Sequence, residues 1–221
     1  MAQPMFDAES LITMFENATA QQGAQLKQAV SRATLAGLQG RELTLKNIRS
    51  ALKAVSDAAS QGAAKNVGVD AEALLEQTVA GMDDALLKAV DANRVALQQL
   101  VAQGADLREK HLKKALDDLD RFEDTLFATL KKTAESAGAP LAGAWGQVLE
   151  KMQAGGTQAG AKAATTAEQM AQQMQTAMRS SRAASMRAAQ AMAESYTAMV
   201  SGVLIGMSEA LQSGKPAAKK K

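Results

Sequence analysis

The sequence predicts an all-α fold: an elongated antiparallel helical bundle or coiled coil of long alanine-rich helices, followed by a disordered basic C-terminal tail. Three observations carry this. Apolar residues recur at steps of three and four, the helical period. Alanine, the strongest helix former, supplies 48 of the 221 residues. The long stretch from Asp70 to Lys132 contains no proline and reads as one continuous helix. The same reading divides the chain into an N-terminal helical pair (1–67), a long central helix (68–137), a hinge with a short helix (138–160), a methionine-rich C-terminal helix (161–213) and the tail (214–221).

In the N-terminal pair, Asp7 is placed to cap a first helix by accepting a bond from an unpaired backbone N–H. That helix is expected to run to about Gly37, with a seam of Leu11, Phe15, Ala18, Leu26, Ala29, Ala33 and Ala36. A second helix, from Arg41 to about Asn66, carries the sharper seam Leu45, Ile48, Leu52 and Val55. Gly68 reads as its stop, and Asp70 with Glu72 as the start of the next element.

The central helix is the spine. Its seam is Leu75, Val79, Met82, Leu86, Val90, Leu97 and Val101, with Leu112, Leu116, Leu119, Phe122, Leu126 and Leu130 beyond. Sorted by elevens, one file reads Leu75, Leu86, Leu97, Arg108, Leu119, Leu130, a period close to that of an undistorted helix. At 1.5 Å per residue a continuous rod would be roughly 90 Å long. A 221-residue globule has a radius of gyration of only about 17 Å. Either the rod breaks, with Gly104 the favoured place, or the molecule is elongated and its seam is covered from outside. Interspersed charges such as Asp84 with Lys88, Glu109 with Lys113 and Asp117 with Arg121 read as a solvated face.

Gly138 and Pro140 mark a hinge. The short helix after it carries Leu141, Trp145, Val148, Leu149 and Met152, with Trp145 as a packing anchor between Gly143 and Gly146. Gly155, Gly156 and Gly160 mark a second break. The last helix is expected from about Ala163 to Gln212, with Thr165 and Glu168 at capping-box spacing. It holds seven of the twelve methionines. Met170, Met174, Met178, Met192, Tyr196, Met199, Val203 and Met207 form a face suited either to helix packing or to an irregular apolar partner, because the thioether chain repacks readily.

Composition also excludes chemistry. Cysteine is absent and His111 is the one histidine, so the usual zinc, di-iron and thiol sites have no ligand set. No phosphate-binding glycine loop follows a strand. The acidic run Asp117, Asp118, Asp120, Glu123 and Asp124 winds around a helix instead of converging as a calcium loop does. The expectation is a non-enzymatic protein without cofactor or metal. No apolar run is long enough for a transmembrane segment, and MAQPMFDAES carries no signal-peptide pattern, so a cytoplasmic protein is expected. Nearly half of the 47% of residues that are hydrophobic are alanine, which predicts a shallow core.

Alanine-rich amphipathic helices, the absence of cysteine, and the tail Lys215-Pro216-Ala217-Ala218-Lys219-Lys220-Lys221 together resemble the phasins, helical proteins that coat bacterial polyhydroxyalkanoate granules. The resemblance implies adsorption of helices to a hydrophobic polymer granule surface and a homo-oligomer. It also implies weak non-specific DNA contact through Lys215, Lys219, Lys220 and Lys221. The rival reading is a cytoplasmic coiled-coil scaffold or adaptor whose apolar seams are buried by self-association. A small nucleoid-associated protein is a third, resting on the tail alone.

Overall fold

The computed structural model describes residues 7–39, 44–102, 114, 117–118, 121–180, 196 and 199–208, giving only the backbone of 100–102, 140 and 174–180. Asp7 caps α1 (Ala8–Glu16) as its position predicts, its Oδ1 accepting from the Ser10 N–H at 3.1 Å. The first helix then ends far sooner than Gly37. Asn17 turns its amide back to the Thr13 carbonyl at 3.0 Å. Thr19 and Gln22 close a capping box around the 3₁₀ turn Ala20–Gln22, and α2 (Gly23–Leu38) starts afresh. The freed carbonyls of Phe15 and Ala18 are met from a distance, by the Asn66 amide at 2.8 and 3.0 Å.

Thr44 caps α3 (Leu45–Lys65), accepting from the Asn47 N–H at 3.3 Å. Its seam residues Ile48, Leu52 and Val55 are buried, and they continue into the small residues Ala59 and Gly62. The stop is Asn66 itself: its Oδ1 accepts from the N–H groups of Gly68 and Val69 at 2.8 and 3.0 Å, so the side chain satisfies the turn that the sequence assigns to Gly68.

α4 (Ala71–Ala102) is the centre of the fold, in contact with α2, α3, α6 (Ala139–Gly155) and α7 (Gln158–Ser180). The predicted seam is there: Leu75, Val79, Met82, Leu86, Val90 and Leu97 are all buried, while Val101 has no described side chain. A second set, Leu74, Thr78, Ala85, Ala89, Ala92, Asn93 and Ala96, is buried as well. Together the two sets make one broad buried face, while Glu76, Asp83, Asp84, Lys88 and Asp91 on the opposite side are half-buried, so α4 is amphipathic with a wide apolar stripe. The seam is therefore covered by the chain itself.

Alanine and glycine make this possible by letting backbones approach. A Cβ added to Gly81 would lie 2.5 Å from the Lys27 carbonyl oxygen and 2.7 Å from Val30 Cβ, where α2 crosses α4. At Gly62 it would lie 2.4 Å from the Ile12 carbonyl oxygen, where α1 crosses α3. The core is deeper than its alanine content predicts, since Phe15, Phe122 and Trp145 are all fully buried.

The continuous rod does not exist. α5 (Phe122–Ser136) packs on α3, α6 and α7. Both Asp83 of α4 and Glu123 of α5 hydrogen-bond the first residues of α7. In an unbroken helix those two carboxylates would be about 60 Å apart. The chain therefore folds back between α4 and α5, and Gly104 lies outside the described residues. Leu126 and Leu130, placed on the rod's seam by the sequence, are instead core residues of a separate helix.

The Gly138–Pro140 hinge is present, with Gly138 at φ 80° and proline in the first turn of α6. Trp145 packs as expected, and its Nε1–H donates to Ser60 Oγ at 3.1 Å. Gly143 and Gly146 face open space, so they are not points of close backbone approach. Lys151 ties α6 to α4, 2.6 Å from Glu72 and 2.5 Å from Glu76. Hydrogen bonds to Glu72 and then Glu76 hold its ammonium above the ordinary lysine range. Gly156, at φ 67°, ends α6. The described residues are helical or turn, with no strand among them, and they form a helical bundle.

Candidate apolar interface

α7 begins at Gln158, five residues before the predicted start, because its cap is assembled from three places in the chain. Thr157 Oγ1 accepts from the Gly160 N–H at 2.9 Å. Glu123 Oε1 accepts from the Thr157 N–H at 3.1 Å and from its hydroxyl at 3.2 Å. Asp83 accepts from Gln158 at 3.1 Å and Ala159 at 2.9 Å. The N–H groups of residues 157–160 are thus all bonded, and two carboxylates sit where the helix dipole favours negative charge. Thr165 bonds back to the Ala161 carbonyl at 2.9 Å, so it lies inside the helix and caps nothing.

Beyond this start, α7 buries Ala159, Ala163, Thr166 and Met170. Met170, predicted on an adsorbing or oligomer face, thus lies in the chain's own core. The side chains of Met174 and Met178, and Met192 entirely, fall outside the described residues. So do His111 and the four tail lysines.

Residues 199–208 form α8, which covers the bundle with Val200, Leu204 and Ser208, one residue every turn. Met199, Val203 and Met207 lie on the adjoining row and are half-buried. The docked face is thus one position away from the predicted methionine row. Tyr196 approaches the same body, its hydroxyl donating to Asn93 Oδ1. On the outside Ile205 is 43% exposed, and the positions over Gly202 and Gly206 are open. Residues 195–208 contain no Asp, Glu, Lys or Arg. α8 therefore carries no charge on either face, and its outer side presents Ile205 between two glycines. The run of uncharged residues is the sequence signal for Val200, Leu204 and Ile205, which the methionine spacing missed.

Two of the carboxylates predicted to wind around a helix, Asp118 and Glu123, have structural partners. Asp118 accepts from the Leu45 N–H at 3.4 Å and pairs with Lys114 at 2.9 Å, while Glu123 caps α7. Asp84 links α4 to α2, taking a hydrogen bond from Ser31 at 2.7 Å and Lys88 at 2.5 Å. Burial alone would raise its carboxyl, but Lys88, Ser31 and the Lys27 charge together hold it below the ordinary 3.8. Among the described residues no group of three or more His, Asp or Glu gathers as metal ligands. A shallow groove of about 420 Å³ between α1 and α2 is lined by Ser10, Thr13, Met14, Asn17, Gln22, Gln25 and Leu26 and has no titratable side chain. No described helix is long and apolar enough to cross a membrane.

The sequence pattern of the family described as "Family of unknown function (DUF6781)" matches residues 1–213. The chain belongs to this family. No curated protein and no solved structure matches it. The DUF6781 region takes in every helix from α1 to α8, the carboxylate-capped start of α7 included, and stops short of Lys215.

Proposed function

We propose that this DUF6781 chain is a non-enzymatic helical protein that attaches to an apolar polymer surface through its methionine-rich C-terminal part. The observation that carries this reading is α8, an uncharged helix with Val200 and Leu204 beneath it and Ile205, Met199, Val203 and Met207 on or beside its open face. A Val, Ile or Met side chain moved fully out of water contributes about 1.5–3 kcal/mol. Four partly covered ones, completed by an apolar surface, are worth several kcal/mol together. The closed seam of α4 leaves α1–α6 as a scaffold, so adsorption is assigned to the C-terminal part alone.

The resemblance of the alanine-rich helices and the lysine-alanine-proline tail to phasins points to a polyhydroxyalkanoate granule as that surface and to a cytoplasmic, granule-bound protein. The tail lysines add weak, salt-sensitive contact with nucleic acid.

Co-sedimentation of the purified chain with polyester particles tests the reading. The parent protein pellets with the particles, and Val203→Glu/Ile205→Glu stays in solution while keeping its helical spectrum. Equal pelleting of the two, or none of either, removes the proposal. The openness over Gly202 and Gly206 favours self-association as a second reading. A concentration-dependent dimer in sedimentation velocity, abolished by Gly202→Leu, with no uptake on particles, would establish it instead.

A further inference from the structure

α3 is the basic element of an otherwise acidic body. The chain's net charge of +2 includes Lys215, Lys219, Lys220 and Lys221, so residues 1–213 stand at −2. Within α3, Lys46, Arg49, Lys53 and Lys65 stand against a single acid, Asp57, which leaves the other residues of 1–213 at −5. Lys46, Arg49 and Lys53 fall in the first half of the helix, all exposed, at steps of three and four. That spacing places them on one face, along about 10 Å of the helix axis.

The fold makes no use of this row. α3 packs through Ile48, Leu52 and Val55, on its other side. Lys46 and Arg49 make no ion pair among the described residues, and Lys53 meets only Asp57 of the same helix, at 2.6 Å with its own side chain 62% exposed. An exposed pair of this kind is weak and yields to a competing anion. Lys46 lies in the first turn of α3, where the helix dipole disfavours positive charge and where α3 has no acidic side chain to offset it. Beside Leu45, Lys114 and Asp118 neutralise each other at 2.9 Å. Placed against the dipole and left unpaired, Lys46 weakens the helix that carries it.

The chemistry of the row selects its partner. Arg49 offers a planar fork of donors that matches phosphate oxygens, Lys46 and Lys53 add point charges, and the exposed Ser50 beside them adds a hydroxyl. α3 contains no Phe, Trp, Tyr or Met, and its Ile48, Leu52 and Val55 are buried. The face therefore has no stacking platform for unpaired bases and no apolar side chains of the kind that a membrane-surface helix inserts. We propose that the Lys46–Arg49–Lys53 row of α3 is a docking surface for the phosphate backbone of double-stranded nucleic acid, bound without regard to base sequence. A duplex carries one charge about every 1.7 Å of its axis, so the row meets several phosphates at once. The surface belongs to the folded body and stands independently of the tail and of the polymer-surface reading.

The test is the salt dependence of binding to a DNA duplex by the full-length chain with its four tail lysines replaced by glutamine, which isolates the body. Three phosphate contacts give a slope of log K against log salt of about −2.7, equivalent to a loss of about fortyfold between 50 and 200 mM salt. Adding Lys46→Gln/Arg49→Gln/Lys53→Gln is expected to weaken binding at 50 mM salt at least about tenfold and to bring the slope within about 0.5 of zero, with the helical spectrum kept. The same loss of charge on and beside α5, Arg121→Gln/Lys131→Gln/Lys132→Gln, is expected to change affinity less than about threefold. Equal losses from the two triple variants would reduce the effect to net charge and overturn the proposal. So would a slope that the α3 substitutions leave unchanged, or no measurable binding by the tail-neutral chain. Tighter binding to vesicles of anionic phospholipid than to the duplex would overturn it in favour of a membrane partner.

Discussion

Asp83 and Glu123 hold the same helix N-terminus, one bonding Gln158 and Ala159 and the other Thr157. This pairing folds α5 back beside α4 and sets where α7 starts. Because the chain has no cysteine, spin labels can be placed uniquely at the exposed positions Ala73 and Ala128. A continuous helix would hold them about 80 Å apart. The folded-back arrangement predicts an electron-electron distance below about 40 Å, and a distribution centred near the longer value would show that the rod persists in solution.

Much of the bundle was legible in local signals. The Asp7 cap, the Leu75–Leu97 seam, the Gly138–Pro140 hinge and the Gly156 break are each written in residues a few positions apart. What was hidden is tertiary. The end of α1 depends on Asn66, about fifty positions away, meeting the Phe15 and Ala18 carbonyls. The start of α7 depends on carboxylates from two other helices, and no neighbour of Thr157 announces them. The eleven-residue files continue smoothly from α4 into α5, so periodicity alone had no means of detecting the reversal. At the candidate site, spacing identified the methionine row, but only packing could show that Val200 and Leu204 face inward and Met170 is core.

The glycines divide into two classes with opposite expected effects. Gly81→Ala and Gly62→Ala place a methyl within 2.5 and 2.4 Å of a facing carbonyl oxygen. Overpacking of this kind costs about 1–3 kcal/mol and outweighs the gain in helix propensity. Gly143→Ala and Gly146→Ala meet nothing and should stabilise by up to about 1 kcal/mol. Urea midpoints of the four single variants check the sign of each.

Trp145 offers its own probe. Ser60→Ala leaves the buried indole N–H without its 3.1 Å acceptor, at a cost of about 1–3 kcal/mol. Trp145→Phe in the Ser60→Ala background should recover part of the polar loss, so a double-mutant cycle is expected to show coupling of about 1 kcal/mol. Additive single effects would mean that the bond contributes nothing beyond packing.

Acid should weaken the α2–α4 contact through Asp84. Its carboxyl titrates below its ordinary 3.8 in the folded chain, so the folded state binds this proton less readily than the unfolded state. The associated stability is present above that ordinary value and is lost as pH falls through it toward the folded value. With the side chain 34% exposed, the contribution is about 1 kcal/mol or less. Asp84→Asn should be less stable near neutral pH and lose less stability than the parent between about pH 5 and pH 3. Parallel acid profiles for the two proteins would contradict this assignment.

The central claim is that a self-contained helical scaffold carries an apolar C-terminal part that meets a foreign surface. Hydrogen exchange of the parent protein with and without polyester particles tests it most directly. The account predicts added protection at 199–208 on the particles, with α2, α3 and α4 as protected as in free solution. Loss of protection throughout α2–α4, as the bundle unrolls onto the surface, or no change at any residue, would contradict it.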